Sequence, residues 1–134
     1  MIIMAELIKG KEWDKLDINI KTNLETLLNR LNMLREAWGK PMQITSGLRD
    51  KDDQIRIYAQ KGITDIKQIP MASKHLYGQA ADIYDPKFEL TEFCKCNDSS
   101  ILKELCLWAE EDKSAPRLHL QIVGVPSGAR WFRP

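Results

Sequence analysis

The sequence predicts a small α+β domain, a short antiparallel sheet packed with about three helices. Three observations lead there. Leucines between about Asn19 and Trp38 recur at three- and four-residue steps, as one face of a helix requires. Short runs such as RLHLQIV alternate in polarity, as a half-buried strand does. Helical and strand-like segments interleave with few strands, which favours α+β over a parallel α/β sheet. At 134 residues, the chain suits one domain, 1–134, with a single core.

The first helix carries Leu24, Leu27, Leu28, Leu31, Leu34 and Trp38 on its apolar face. Thr22 and Glu25 have the spacing of a capping box, and Gly39 with Pro41 marks the stop. Met42 to Thr45 reads as a strand entering a turn at Ser46-Gly47. Asp50 to Gln60 follows as a second helix, acidic in its first turn and ended by Gly62. Residues 63–71 read as loop. The stretch SKHLYGQAAD, residues 73–82, reads as a loop turning at Gly78 into a strand from Gln79 to Tyr84. A loop is expected from Asp85 to Asp98 and a third helix from Ser99 to Glu111, with Leu102, Leu105, Cys106 and Ala109 inward. Arg117 to Val123 is the last strand, and Pro126-Ser127-Gly128 a turn.

Composition narrows the function classes. The formal net charge of +1 lacks the basic excess of a nucleic-acid binder. No segment approaches the ~20 apolar residues of a membrane span. The start, MIIMAELIKGKEW, has no basic leader and no small-residue cleavage site, so synthesis and folding in a cytoplasm without a signal peptide are expected. Cys94, Cys96 and Cys106 are an odd set that a reducing compartment keeps as thiols. A soft metal on the three is the alternative, but structural zinc takes four ligands and no fourth lies nearby.

The two histidines point elsewhere. On a strand, alternate side chains share a face, so Asp82 lies with Ala80 and Tyr84, and His119 with Gln121. Asp82 and His119 can therefore converge from neighbouring strands, with His75 brought in by the glycine turn. Two imidazoles and a carboxylate are a standard zinc set, and three protein ligands leave a fourth position for water. Zinc lowers the pKa of such a water to roughly 7 and polarises a carbonyl oxygen. The plainer alternative is two unrelated histidines on a polar face.

Ser73-x-His75-x-x-Gly78-x-Ala80-x-Asp82 resembles the signature of the zinc D-Ala-D-Ala carboxypeptidase and L-alanyl-D-glutamate endopeptidase family, which includes VanX-like dipeptidases and phage endolysins. GKPMQITSGLRD, residues 39–50, resembles that family's strand and turn ending in S-G-x-R, and LHLQI, residues 118–122, sits where its last histidine ligand stands. The resemblance spans about Leu24 to Phe132. It implies the hedgehog/D,D-peptidase fold, one Zn2+ on His75, Asp82 and His119, and a peptidoglycan stem peptide as substrate. Arg49 would bind substrate and steady the oxyanion, and Ser73 would contact substrate or support a ligand; a surface arginine and a turn serine are the plainer readings. It further implies action on the cell wall after release, as a phage lysis protein, or among other virion proteins as a particle component.

The motif departs from the family at the general base. A glutamate three residues before the last histidine is Pro116 here, and an acid two residues after it is Gln121. Gln121 can orient a water or a carbonyl but cannot accept a proton near neutral pH. The candidate substitutes are Glu110, Glu111 and Asp112, at the end of the third helix, and Asp85 after the ligand strand; a solvated surface acid is the plainer reading of each. The alternative is a zinc-holding structural or binding module that has lost hydrolysis. A serine peptidase built on Ser100-x-x-Lys103 lacks its companion motifs, and Ser100 is more simply a helix-start residue.

Overall fold

The computed structural model describes residues 1–133. In chain order the elements are α1 (Met4–Ile8), α2 (Ile18–Trp38), β1 (Ile44–Ser46), α3 (Lys51–Gln60), β2 (Ala80–Tyr84), α4 (Glu89–Leu105), β3 (Trp108–Glu110), β4 (Arg117–Gln121) and β5 (Trp131–Phe132). Short 3-10 turns lie at Trp13–Lys15, Ile66–Gln68 and Lys74–Tyr77. The class is α+β, as expected. The five-stranded sheet runs β1-β2-β4-β3-β5 and is mixed rather than wholly antiparallel, because β5 pairs parallel to β3. Leaving β4, the chain passes β3 and returns on its far side, opposite in direction to β4 and therefore along β3.

Helix α2 matches its leucine repeat: Leu24, Leu27, Leu31 and Leu34 are all buried. Its cap is Asp17, whose carboxylate accepts the Asn19 N–H at 2.7 Å. The expected box at Thr22 and Glu25 does not form there, since the Thr22 hydroxyl lies inside the helix and donates to the Ile18 carbonyl. The true capping box is at α3, where the Asp50 and Asp53 side chains each accept the other's backbone N–H.

The segment from Asp85 to Glu111 departs most from expectation. Helix α4 begins at Glu89, ten residues before the expected start at Ser99, so the C-x-C pair lies on a helix and not in a loop. Asp85 starts it by accepting the N–H groups of Leu90 and Thr91 and the Thr91 hydroxyl. The polar run Asn97-Asp98-Ser99 is a break inside α4, each residue at a positive φ. The helix ends at Leu105, with Cys106 left-handed and exposed rather than inward, and Ala109 belongs to β3.

Helices α2 and α4 cover one face of the sheet, where Ala81, Ile83, Ala109, Leu118 and Leu120 join Leu24, Leu27 and Leu102 in one core. Each fully buried leucine there is worth about 1.5–3 kcal/mol of transfer free energy. The alternate residues of β2 and β4 face the other way, which sets Asp82, Arg117 and His119 on the uncovered side. Among the described residues no helix is long and apolar enough to cross a membrane.

Candidate metal centre

Asp82 and His119 face each other directly in the β2–β4 register, as do Ala80 with Gln121 and Tyr84 with Arg117. Directly opposed residues hold their Cβ atoms about 5 Å apart, so two central strands place a carboxylate and an imidazole in contact without any loop. His75 arrives on the 3-10 turn Lys74–Tyr77, whose start is capped by the Ser73 hydroxyl. Gly78 then reverses the chain into β2 at a φ of +71°. A Cβ there would sit 2.9 Å from Leu24 Cγ, so both the conformation and the packing on α2 require glycine.

Second partners fix the tautomer of each ring. His75 is 3% exposed, and its Nδ1 lies 2.9 Å from the Gly47 carbonyl. A carbonyl only accepts, so Nδ1 carries the proton and Nε2 keeps the lone pair that faces Asp82 Oδ1 at 3.3 Å. Gly47 is itself wedged against α1, where an added Cβ would collide with Leu7 backbone atoms. The Gln121 amide nitrogen donates to the Val123 carbonyl at 2.8 Å, so its oxygen is the atom that meets His119 Nε2 at 2.9 Å. His119 Nε2 is therefore the donor, and Nδ1 turns to Asp82 Oδ1 at 2.9 Å.

The three inward atoms, His75 Nε2, Asp82 Oδ1 and His119 Nδ1, are a usable donor set. His75, Asp82 and His119 each offer a ligand atom, all within 4.8 Å of one another. Tetrahedral zinc with bonds of about 2.0–2.1 Å needs ligand atoms roughly 3.3 Å apart, and the two spacings to the carboxylate are 3.3 and 2.9 Å. The residues thus fit a metal ion. The cysteines form no such group among the described residues: Cys94 is buried, while Cys96 and Cys106 are exposed.

Electrostatics agree with that geometry. Burial alone would raise the Asp82 carboxyl, but its contacts with the His119 and His75 rings outweigh it and hold the group well below the usual carboxylate range. Burial lowers His75 against the opposing pull of Asp82, so its ring stays neutral. Burial works in the same sense on His119, yet Asp82, Gln121 and the charge of Glu110 together push it up. A proton on His119 Nδ1 and a cation beside Asp82 therefore satisfy the same lone pairs and compete for them.

Arg49 is at the site, with its guanidinium engaged three ways: Nε donates to Ser46 Oγ at 2.9 Å, Nη1 to Gln54 Oε1 at 3.3 Å, and Nη2 to Asp82 Oδ2 at 3.4 Å. It steadies the second oxygen of the carboxylate. His75, Asp82 and His119 line a cavity of about 310 Å³ together with Ser73, Arg49, Tyr58, Lys61, Glu110, Asp112 and Arg117. A larger cleft of about 380 Å³ between the N-terminal segment and α2 shares Arg49 but holds none of the three ligands.

The candidate bases separate clearly. Asp85 is buried and spent on capping α4, Glu111 pairs with Lys95 at 2.7 Å, and Asp112 accepts from Ser114. Pro116 offers only its carbonyl, to the Asp85 N–H. Gln121 is buried, with both ends of its amide engaged, and holds His119 rather than facing the cavity. Glu110 remains. It lies on β3, not at a helix end, one residue beyond the Ala109↔Leu120 pair of the β3–β4 ladder, and it lines the cavity together with His119. Its half-buried carboxylate lines the cavity and has no hydrogen-bond or ion-pair partner among the described residues. Ser100 is exposed, and Lys103 is held by Asp98 at 2.9 Å, so no serine–lysine pair forms.

Arg117 and Gln54 were not anticipated. Arg117 stands two residues before His119, and strand alternation is the signal that could have found it. Nothing in the sequence marks Gln54, which is fully buried on α3 and bridges Arg49 to the Pro70 carbonyl. No protein-family model, curated protein or solved structure matches this chain, so the geometry above carries the functional reading.

Proposed function

We propose that the chain is a zinc metallopeptidase of the D,D-carboxypeptidase or L-alanyl-D-glutamate endopeptidase type, with the hedgehog/D,D-peptidase fold, that hydrolyses peptidoglycan stem peptides. The observation that carries this is the convergence of His75 Nε2, Asp82 Oδ1 and His119 Nδ1, in the motif order, on the floor of a polar cavity. These three residues would hold the ion. Zinc bound there supplies a Lewis acid that acidifies water and polarises a peptide carbonyl.

The remaining steps fall to side chains of the cavity. Glu110 takes the proton of the attacking water and returns it to the leaving amine, the task that Pro116 and Gln121 cannot perform. Gly47 and Gln121 hold the two imidazoles in the tautomers that aim lone pairs inward. Arg49 fixes the second oxygen of Asp82 so that the first stays directed at the ion. Ser73 caps the turn that carries His75 and lines the cavity. A phage lysis protein or a virion component are the settings that suit such an activity.

Elemental analysis for zinc with digestion of purified muropeptides, with and without chelator, tests the proposal. One zinc per chain and chelator-sensitive cleavage are expected. His119→Ala is expected to lose the zinc, and normal zinc content in that variant refutes the ligand set. Glu110→Gln is expected to keep the zinc and lose about 10²–10⁴ in rate. Stoichiometric zinc with no cleavage by the wild type favours instead a binding module, the reading supported by the missing acid at Pro116 and Gln121.

A further inference from the structure

We propose that Arg117, and not Arg49, is the guanidinium that recognises a substrate carboxylate in the metal cavity. The inference rests on the site described above and names the ligand chemistry that the site selects. A guanidinium has five N–H donors. Arg49 commits three of its nitrogens to Ser46, Gln54 and Asp82, and its side chain is only 14% exposed. Arg117 is 35% exposed and makes no side-chain hydrogen bond among the described residues. Its one ion pair runs from Nε to Asp82 Oδ2 at 3.7 Å, beyond hydrogen-bond range, and leaves both Nη groups without a hydrogen-bond acceptor among the described residues.

Charge and position agree. Arg49, Lys61 and Arg117 balance Asp82, Glu110 and Asp112 one for one around the cavity, so a divalent cation leaves the lining net positive. Such a cavity favours an anionic ligand over a neutral one. Arg117 is two residues from His119 along one face of β4, a displacement of about 7 Å. A carboxylate gripped in its fork therefore lies within about one residue of a carbonyl at the metal position. Two stem-peptide bonds present that chemistry: D-Ala-D-Ala through its terminal carboxylate, and L-Ala-γ-D-Glu through the free α-carboxylate of the glutamate.

The probes are ketomethylene isosteres of N-acetyl-D-Ala-D-Ala and of N-acetyl-L-Ala-D-Glu with its γ-carboxyl amidated, each prepared as the α-carboxylate and as the α-carboxamide. No amide is available for cleavage at the tested position, so binding is read by calorimetry on the zinc-loaded protein independently of turnover. For at least one pair the wild type is expected to prefer the carboxylate by about tenfold or more, as a charge-assisted fork gives. The pair that shows the preference identifies the source. Arg117→Gln is expected to bring carboxylate and carboxamide to equal affinity, and Arg117→Lys to retain part of the preference. The ratio within each variant is the readout, so a general loss of binding cancels, and zinc content with circular dichroism reports folding. No preference in the wild type, no binding of any probe, or a preference kept in Arg117→Gln overturns the proposal. Hydrolysis of the parent peptides is measured alongside. Carboxylate selection without hydrolysis defeats the peptidase reading alone, whereas hydrolysis without selection defeats this one alone.

Discussion

Replacing Gln121 by leucine removes an amide while nearly conserving side-chain volume, so little cavity is created and the loss is mainly polar. The wild-type amide makes two hydrogen bonds, at 2.9 Å to His119 Nε2 and at 2.8 Å to the Val123 carbonyl, in a residue 3% exposed. Each buried group left without a partner costs about 1–3 kcal/mol. Because the two share one side chain, the costs overlap, and a total of about 2–4 kcal/mol is expected. With an unfolding entropy of about 2.1 cal/mol/K per residue, 134 residues convert 1 kcal/mol into roughly 3.6 °C. The variant should therefore melt roughly 7–14 °C below the wild type. Freed from Gln121, His119 populates both tautomers, only one of which presents Nδ1 to a metal, and zinc affinity should fall about 10–100-fold. Thermal melts and chelator-competition titrations measure the two effects. A Gln121→Leu protein that binds zinc as tightly as the wild type refutes the tautomer argument, whatever its melting temperature.

Two further outcomes follow from other parts of the molecule. Burial would raise the Asp53 carboxyl, but hydrogen bonds from Lys11, the Asp50 backbone and Arg56 hold it below the ordinary carboxylate range. Its folded pKa is thus below the unfolded value of about 3.9, so its contribution is complete above about pH 4 and is lost as the pH falls toward the folded value. Denaturant melts should show wild type more stable than Asp53→Asn near neutrality, with the gap closing from about pH 4 downward; a gap that widens on acidification contradicts the assignment. The Cys94 thiol is pushed up to about 12, by burial first and then by the charge of Asp85, while Cys96 and Cys106 are exposed. At pH 8 a thiol reagent should titrate Cys96 and Cys106 in the native protein and reach Cys94 only after unfolding. Rapid labelling of Cys94 in the folded protein counts against this packing.

The His75–Asp82–His119 group was legible because strand alternation alone puts Asp82 and His119 on one face, and the Gly78 turn has few ways to place His75. Helix α2 was legible for a similar reason, since its leucines repeat without interruption. Helix α4 was not. Glu92, Lys95 and the run from Cys96 to Ser99 look like loop, yet Leu90 and Cys94 carry the buried face across them and Asp85 caps the start. Its end was hidden as well, because Cys106 takes the left-handed turn where a glycine would have signalled a stop. The same feature hides Glu110, the candidate base: a helix ending there gives it no reason to meet His119, and only strand β3 beside β4 brings both to one cavity.

The donor-bearing strands β2 and β4 are inner strands of the sheet, and the reverse side of each is solid hydrocarbon. The polar floor that carries Asp82 and His119 is consequently backed by the domain's interior, and a change in its shape would disturb the core beneath. The cavity's other walls include Tyr58 and Lys61, on or beside α3, and Asp112 after β3, none of which belongs to those two strands. Substitutions at those wall positions should therefore cost less stability than substitutions at the floor.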